Sequence, residues 1–207
     1  MISKLGVPFE NPQPIIHVSD EWRKSAHDLL TSKNFDPDRP YFIIHPGTRK
    51  YDQWQFEKFA RIAEYFFTRF NLGIILTCGP GEFGQVEKLI QCLSKKVPYT
   101  FISTDLSTLL GITASAKFVV CHNGGYMHAT SAIGVPVAAL FGLTDYRIWK
   151  PLGEKSVVLH KDIDCWPCTS KTMKQDCWDG KPECKELISA EDVVNSIKKL
   201  CPEFSDK

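Results

Sequence analysis

The sequence predicts an α/β fold, a Rossmann-like doubly wound parallel sheet with helices on both faces. Short apolar runs of strand length alternate with longer segments whose apolar residues recur at helical spacing, which is typical of this class. A chain of 207 residues with 43% hydrophobic content can form one large packed domain. Its 25 basic and 24 acidic residues nearly cancel, so the composition does not favour binding to a nucleic-acid backbone.

Residues 1–40 are interpreted as a linker followed by one helix. The prolines near the start bias the residues before them toward extended backbone. Ser19 is a suitable N-cap, and two acidic residues follow it where the helix dipole favours negative charge. We therefore expect a helix from residue 20 to about residue 30.

Residues 41–207 are expected to form a Rossmann-like domain. The apolar pattern predicts strands over 41–45, 73–77, 99–102, 118–121, 135–141 and 157–159. It predicts helices over 56–67, 82–93, 106–116, 127–133 and 189–200. Ligands of such sheets bind at the carboxyl ends of the strands, so we look there for the chemistry.

No segment indicates secretion or membrane crossing. The N-terminus lacks the apolar stretch of a signal peptide. The longest apolar run, 135–143, is too short to span a bilayer. We expect a cytoplasmic protein.

The most informative loop follows the fourth predicted strand. Asn123, Gly124 and Gly125 stand directly before a helix, which would leave several N–H groups unpaired beside the positive end of its dipole. Such a turn suits a diphosphate, and His128 lies one helical turn further on. A tight strand-to-helix turn with a partly buried histidine is the alternative interpretation, and this loop alone leaves both open.

Several motifs occur in a fixed order along the chain. They are His-Pro-Gly-Thr with a Trp six residues after the Thr, Gly-Pro-Gly-Glu, Asn-Gly-Gly-x-x-His-Ala, Gly-x-Pro-x-x-x-Leu-Phe-Gly-x-Thr-Asp, and Trp-Lys-Pro-Leu-Gly. This set resembles the C-terminal half of family 9 glycosyltransferases, which include the heptosyltransferases of bacterial lipopolysaccharide synthesis. Each motif is weak by itself, whereas the ordered set is specific. The resemblance covers about residues 41–200.

This resemblance implies the donor-binding half of a GT-B fold, in which two Rossmann-like domains flank a cleft. The implied reaction transfers a heptose-like sugar, with inversion and no required cofactor, from a nucleotide diphosphate sugar such as ADP-heptose. The acceptor would be a saccharide or glycolipid. The family's catalytic carboxylate lies in a preceding domain for which residues 1–40 are too short. We therefore expect a fragment, or a chain that needs a partner, and assign it no catalytic residue; peripheral membrane association would come through the missing half.

By position, the resemblance assigns the phosphates to Thr48 and the Gly47 backbone, and the ribose hydroxyls to Glu82. A carboxylate is also chemically suited to vicinal hydroxyls, although a first-turn glutamate often serves only the helix dipole. The complete set of expected donor-binding residues is Gly47, Thr48, Arg49, Lys50, Gly81, Glu82, Asn123, Gly124, Gly125, His128, Thr144 and Asp145.

Two positions depart from the family pattern. A lysine is usual two residues before the Trp, where this chain has Asp52, so Arg49 or Lys50 is expected to supply the charge. An aspartate is common at the start of the glycine turn, where this chain has Asn123. These departures favour a degenerate, non-catalytic nucleotide-binding module as one alternative to a transferase. A GT-B-type nucleotide-sugar epimerase, which also has a glycine turn after a strand, is the other.

A loop over 165–184 contains Cys165, Cys168, Cys177 and Cys184. The first two have the spacing of a zinc-ligand pair, whereas the other two do not. We expect this loop to be a structural staple around which Trp166, Pro167 and Trp178 pack. Structural zinc, disulfides and reduced thiols stay open as its chemical form.

Overall fold

A computed structural model, which describes residues 13–166, 168 and 173–205, confirms the α/β doubly wound fold. Its strands are β1 (Tyr41–His45), β2 (Gly73–Thr77), β3 (Thr100–Ile102), β4 (Val119–His122), β5 (Val137–Leu140) and β6 (Ser156–Leu159). They form one sheet in the order β3-β2-β1-β4-β5-β6. All neighbouring strands are parallel. The chain order reverses between β1 and β4, the point where sheets of this type bind ligands.

The helices connect and cover the strands. They are α1 (Asp20–Ser32), α2 (Phe56–Phe70), α3 (Phe83–Cys92), α4 (Leu106–Ser115), α5 (Gly125–Ile133), α6 (Tyr146–Trp149), α7 (Gln175–Trp178), α8 (Glu183–Glu186) and α9 (Ala190–Leu200). Lys50–Asp52 and Pro202–Phe204 form 3₁₀ turns. In the described part of the chain, no helix combines the length and apolar character needed to cross a membrane.

The sheet separates two hydrophobic cores because strand side chains point alternately to opposite faces. Phe42 and Ile44 of β1 belong to one core, which includes residues of α2, α3 and α9. Tyr41 and Ile43 belong to the other, with residues of α1, α4 and α5. Helix α1 packs against α4 on this second face. The two cores hold the strand ends, and the loops after them, in fixed relative positions.

The sequence predicted the six strands to within two residues at each end. Helix α5 begins at Gly125, earlier than predicted, because the second glycine already has helical geometry. Three four-residue helices, α6, α7 and α8, were not predicted, since such short helices contain no helical period. The linker predicted before α1 includes residues 1–12, which lie outside the described residues.

Candidate functional site

Four loops rich in glycine and polar residues lie side by side at the carboxyl edge of the sheet. They follow β2, β1, β4 and β5, which are consecutive strands in the sheet. All twelve residues predicted to bind a donor lie in these loops or in the first turn of the helices that follow them. The predicted residues therefore share one edge of the domain.

The turn after β4 exposes the start of a nine-residue helix. Gly124 is the N-cap of α5, and no side chain of the described residues caps this helix. Gly124, Gly125 and His128 are all exposed. Because the first N–H groups of a helix have no partner within it, this turn presents unpaired donors and a positive dipole end to solvent.

The backbone conformation does not require either glycine. Gly124 is extended, with φ 175° and ψ −178°, and Gly125 is helical. A Cβ added at either position would have no atom of the protein within 4 Å. The space beside these two glycines is therefore open, and a ligand phosphate can approach their N–H groups closely.

The β5 loop is tied to the glycine turn. Asn123 donates from Nδ2 to Thr144 Oγ1 over 2.9 Å, and its backbone N–H reaches Leu140 O over 3.2 Å. Asp145 instead caps α6 and binds the Arg147 guanidinium at 2.9 Å (Oδ1) and 2.7 Å (Oδ2). These contacts with Arg147 lower the pKa of Asp145. A ligand that used Asp145 would have to compete with Arg147.

The first loop is clamped by Gln85, a residue that the sequence analysis did not single out. Thr48 donates its N–H to Gln85 Oε1 at 3.0 Å, and Gln85 Nε2 donates to Thr48 O at 2.7 Å. The backbone N–H of Thr48 is thus already paired. We expect the Thr48 hydroxyl, rather than this N–H, to face a phosphate.

The change Gln85→Glu tests this clamp with almost no change in size. A carboxylate still accepts from the Thr48 N–H, but it cannot donate to Thr48 O and repels it. Unfolding in urea should show a loss of roughly 1–3 kcal/mol, the range for an unmade partly buried hydrogen bond. Gln91→Glu, on an exposed residue of the same helix, should change stability by no more than about 0.5 kcal/mol. Equal effects of the two changes would contradict the clamp.

Glu82 folds back over the first two loops. Its Oε2 accepts the Gly79 N–H at 2.8 Å and lies 3.5 Å from His45 Nε2. A Cβ at Gly47 would come 1.9 Å from the same oxygen, so only glycine leaves room for this carboxylate. His45, and then the Gly79 N–H, lower the pKa of Glu82, although burial opposes them. Both contacts use Oε2, which leaves Oε1 to accept from a ligand hydroxyl.

The remaining predicted donor-binding residues are exposed. Arg49 donates from Nη1 to Tyr51 Oη at 3.1 Å, and Lys50 follows it at the surface. Gly81 has φ +80°, a conformation that favours glycine, and forms the exposed turn before Glu82. Both cations can therefore move toward an anion in front of the first loop.

A buried group that the sequence analysis missed lies behind these loops. Lys185 of α8 is fully buried, and its Nζ lies 3.5 Å from Asp52 Oδ1. The same Nζ is 2.8 Å from His122 Nδ1 and donates to Leu140 O at 2.9 Å. Burial lowers the pKa of Lys185, against the opposing charge of Asp52. Burial, followed by the Lys185 charge, lowers the pKa of His122 well below its ordinary value, so the neutral ring accepts from lysine.

This ion pair explains why the chain has Asp52 where the family usually has a lysine. The side chain is 7% exposed and points into the domain, where its partner comes from a distant helix. Asp52 therefore does not stand in a phosphate-binding position. The expectation that Arg49 or Lys50 supplies the loop's positive charge is compatible with this placement and stays a prediction.

Whether the cysteine loop binds a structural zinc stays a prediction. Among the described residues, which include Cys165, Cys168, Cys177 and Cys184, no three His, Cys, Asp or Glu side chains are grouped to hold a metal ion. All eight cysteines of the chain are free thiols. Burial raises the pKa of Cys168 to about 11 and that of Cys184 to about 12.

The aromatic residues of this loop pack against neighbouring tyrosines. Trp166 stacks on Tyr146 with ring centroids 5.3 Å apart, and Trp178 meets Tyr51 edge-on at 5.5 Å. Pro167 lies outside the described residues. Through Trp178, the cysteine loop contacts the first loop of the candidate site.

Comparison with known proteins identifies the family. The model of glycosyltransferase family 9 (heptosyltransferase) matches residues 1–179. Lipopolysaccharide heptosyltransferase 3 of Escherichia coli K12 is 25% identical over 209 aligned residues, which cover 98% of this chain and 58% of that relative.

Solved structures support the same fold. ADP-heptose LPS heptosyltransferase II of E. coli matches with a TM-score of 0.79 and 16% identity, over 96% of this chain and 56% of that one. An E. coli heptosyltransferase solved with ADP matches with a TM-score of 0.61 and 21% identity, over 84% of this chain and 48% of that one. The chain thus spans about half the length of these relatives. Because the family model matches most of its residues, the chain belongs to glycosyltransferase family 9.

Proposed function

We propose that this chain is the donor-binding domain of a glycosyltransferase that moves a heptose-like sugar from a nucleotide diphosphate sugar. One observation carries the proposal: the uncapped start of α5 at Gly124 and Gly125, with open space beside both glycines, where four loops converge. Unpaired N–H groups and a helix dipole are what a diphosphate requires. A relative of the same fold was solved with ADP, so ADP-heptose is the first donor to test.

Different residues bind different parts of the donor. The N–H groups at the start of α5 bind the diphosphate, and exposed His128 and half-buried Thr48 add side-chain donors. Oε1 of Glu82 accepts from ribose hydroxyls, while its other oxygen stays on Gly79. Asn123 and Thr144 hold the glycine turn beside the sugar. We propose that transfer requires no cofactor.

Transfer itself needs an acceptor site and a base outside these residues. We propose a saccharide or glycolipid acceptor, inversion at the transferred carbon, and a carboxylate base in a further domain. Free thiols at all eight cysteines suit the reducing cytoplasm, where we place the protein.

Calorimetric titration with ADP, UDP, GDP and their sugars tests this function. We expect ADP and ADP-heptose to bind, and the other nucleotides to bind more weakly. Preference for UDP and its sugars would favour the epimerase alternative. If no nucleotide binds, the chain is a degenerate module and the proposal fails.

The charges of the first loop provide a further prediction. In Arg49→Gln/Lys50→Gln, the affinity for ADP should fall about tenfold, because exposed charge contacts contribute roughly 0.5–1 kcal/mol each. The salt dependence of binding should fall as well. Titrations at two salt concentrations measure both effects.

A matched control separates local contacts from net charge. Lys95→Gln/Lys96→Gln removes two exposed cations from the loop before β3, at the opposite edge of the sheet. It should leave the affinity for ADP nearly unchanged. Equal losses in both double variants would show that only overall charge matters.

A further inference from the structure

Lys185 joins three parts of the domain that end at the candidate site. Its Nζ contacts Asp52 in the turn that closes the first loop, His122 at the end of β4, and Leu140 O at the end of β5. Its side chain is fully buried, although it comes from the four-residue helix α8. A single ammonium group therefore connects the bases of three site loops.

Two of these contacts lie directly beneath the glycine turn. His122 is followed at once by Asn123, whose N–H also reaches Leu140 O. Leu140 O thus accepts hydrogen bonds from both the Lys185 ammonium and the first N–H of the turn. Displacement of Lys185 would change the position of this carbonyl and of the turn attached to it.

The β5 loop is packed against the same group. A Cβ at Gly142 would come 2.6 Å from Lys185 Cε and 2.5 Å from Asp52 Oδ1. Two residues later, Thr144 accepts the hydrogen bond from Asn123. The lysine and aspartate therefore support the loop that holds Asn123 as well as the strand that precedes it.

Stability alone is a weak reason for such an arrangement. A buried ion pair is often no more stable than well-packed apolar residues of similar volume, because both charges lose their hydration. A buried ammonium instead fixes the relative positions of the groups around it, because its N–H donors must meet acceptors at defined positions. Two of those acceptors, His122 and Leu140 O, lie at the ends of strands that lead into the site.

We propose that Lys185, paired with Asp52, is a positioning residue that sets the geometry of the loops over 123–125 and 141–145 for diphosphate binding. The proposal rests on the proposed function. It gives the C-terminal segment a role at the donor site. From sequence, the neighbouring cysteine loop was expected to be a structural staple only.

The variant Lys185→Met removes the ammonium and keeps most of the side-chain volume. Lys58→Met is its matched control, because Lys58 Nζ holds the same C-terminal segment through Ile188 O at 2.8 Å but contacts none of the strand ends. Hydrogen exchange followed by mass spectrometry reports the order of the loops without any ligand. Titration with ADP and adenosine reports the diphosphate contacts separately from the nucleoside contacts.

Lys185→Met should accelerate exchange at least tenfold in peptides over 122–128 and 141–145, and Lys58→Met less than twofold. Lys185→Met should also lower the affinity for ADP at least tenfold and leave the affinity for adenosine unchanged. If Lys185→Met does not fold, Asp52→Asn/Lys185→Met removes both charges together and should show the same pattern.

The proposal is overturned if these loops exchange at the wild-type rate in the folded variant, or if Lys58→Met accelerates them equally. It is also overturned if the affinities for ADP and adenosine fall together, since that result indicates a general loss of structure. If the wild-type protein binds no nucleotide, the proposed function fails, whereas the exchange rates still decide whether Lys185 positions the loops.

Discussion

Replacement of Gly125 by valine should weaken ADP binding at least about 100-fold and leave the fold intact. A Cβ at Gly125 would lie in open space, so we expect the domain to accept a side chain at this position. A branched side chain would instead occupy the space in which a phosphate reaches the N–H groups of the turn. Loss of two or more charge-assisted hydrogen bonds, at roughly 1.5–3 kcal/mol each, gives an effect of this size.

Titration calorimetry and thermal melting measure the two parts of this expectation. Gly125→Ala, which adds one methyl group, should show a smaller loss. Gly84→Val places the same side chain in the exposed first turn of α3, where a Cβ would likewise lie in open space. It should retain affinity. If Gly125→Val binds ADP like the wild type at an unchanged melting temperature, the diphosphate does not bind at this turn.

The largest effect on stability is expected for Trp54→Ala. The indole is 1% exposed, meets Phe59 edge-on at 4.8 Å, and donates from Nε1 to Ile188 O at 3.0 Å. It connects the end of the first loop to the C-terminal segment. Removal of a buried tryptophan should lower the free energy of unfolding by about 3–5 kcal/mol, measured by denaturant titration.

Two variants calibrate this loss. Trp54→Phe keeps an aromatic ring, and Ile188 O retains the Lys58 ammonium, so the loss should be only roughly 1–2 kcal/mol. Trp149→Ala removes a tryptophan that is 57% exposed, and we expect a change of no more than about 1 kcal/mol. A Trp54→Ala protein as stable as Trp149→Ala would show that the contacts of the Trp54 indole do not stabilise the domain.

The sheet could be predicted from sequence because buried parallel strands are continuous apolar runs. Residues 73–77 and 119–122 are examples, and the glycine turn at residues 124 and 125 has its own signature before a helix. Periodicity depends only on neighbouring residues. The parallel sheet then brings the strand ends together, so the predicted loops share one edge without any knowledge of side-chain contacts.

The contacts behind the loops could not be predicted. Lys185 is one lysine in a polar stretch, where solvent exposure is the usual expectation, and its partner His122 is 63 residues away in the chain. Gln85 likewise meets Thr48 across 37 residues. Nothing local marks either side chain, because each role depends on which distant backbone groups the fold places beside it.

The amides of Gly124 and Gly125 provide the most direct test of diphosphate binding. In ¹⁵N–¹H spectra of labelled protein titrated with ADP, both glycine signals should shift strongly and saturate together, with further shifts at neighbouring amides of α5. Adenosine, which lacks phosphates, should leave the two glycine signals in place. If saturating ADP moves neither glycine, or moves amides at the opposite edge of the sheet instead, the assignment of the donor site is contradicted.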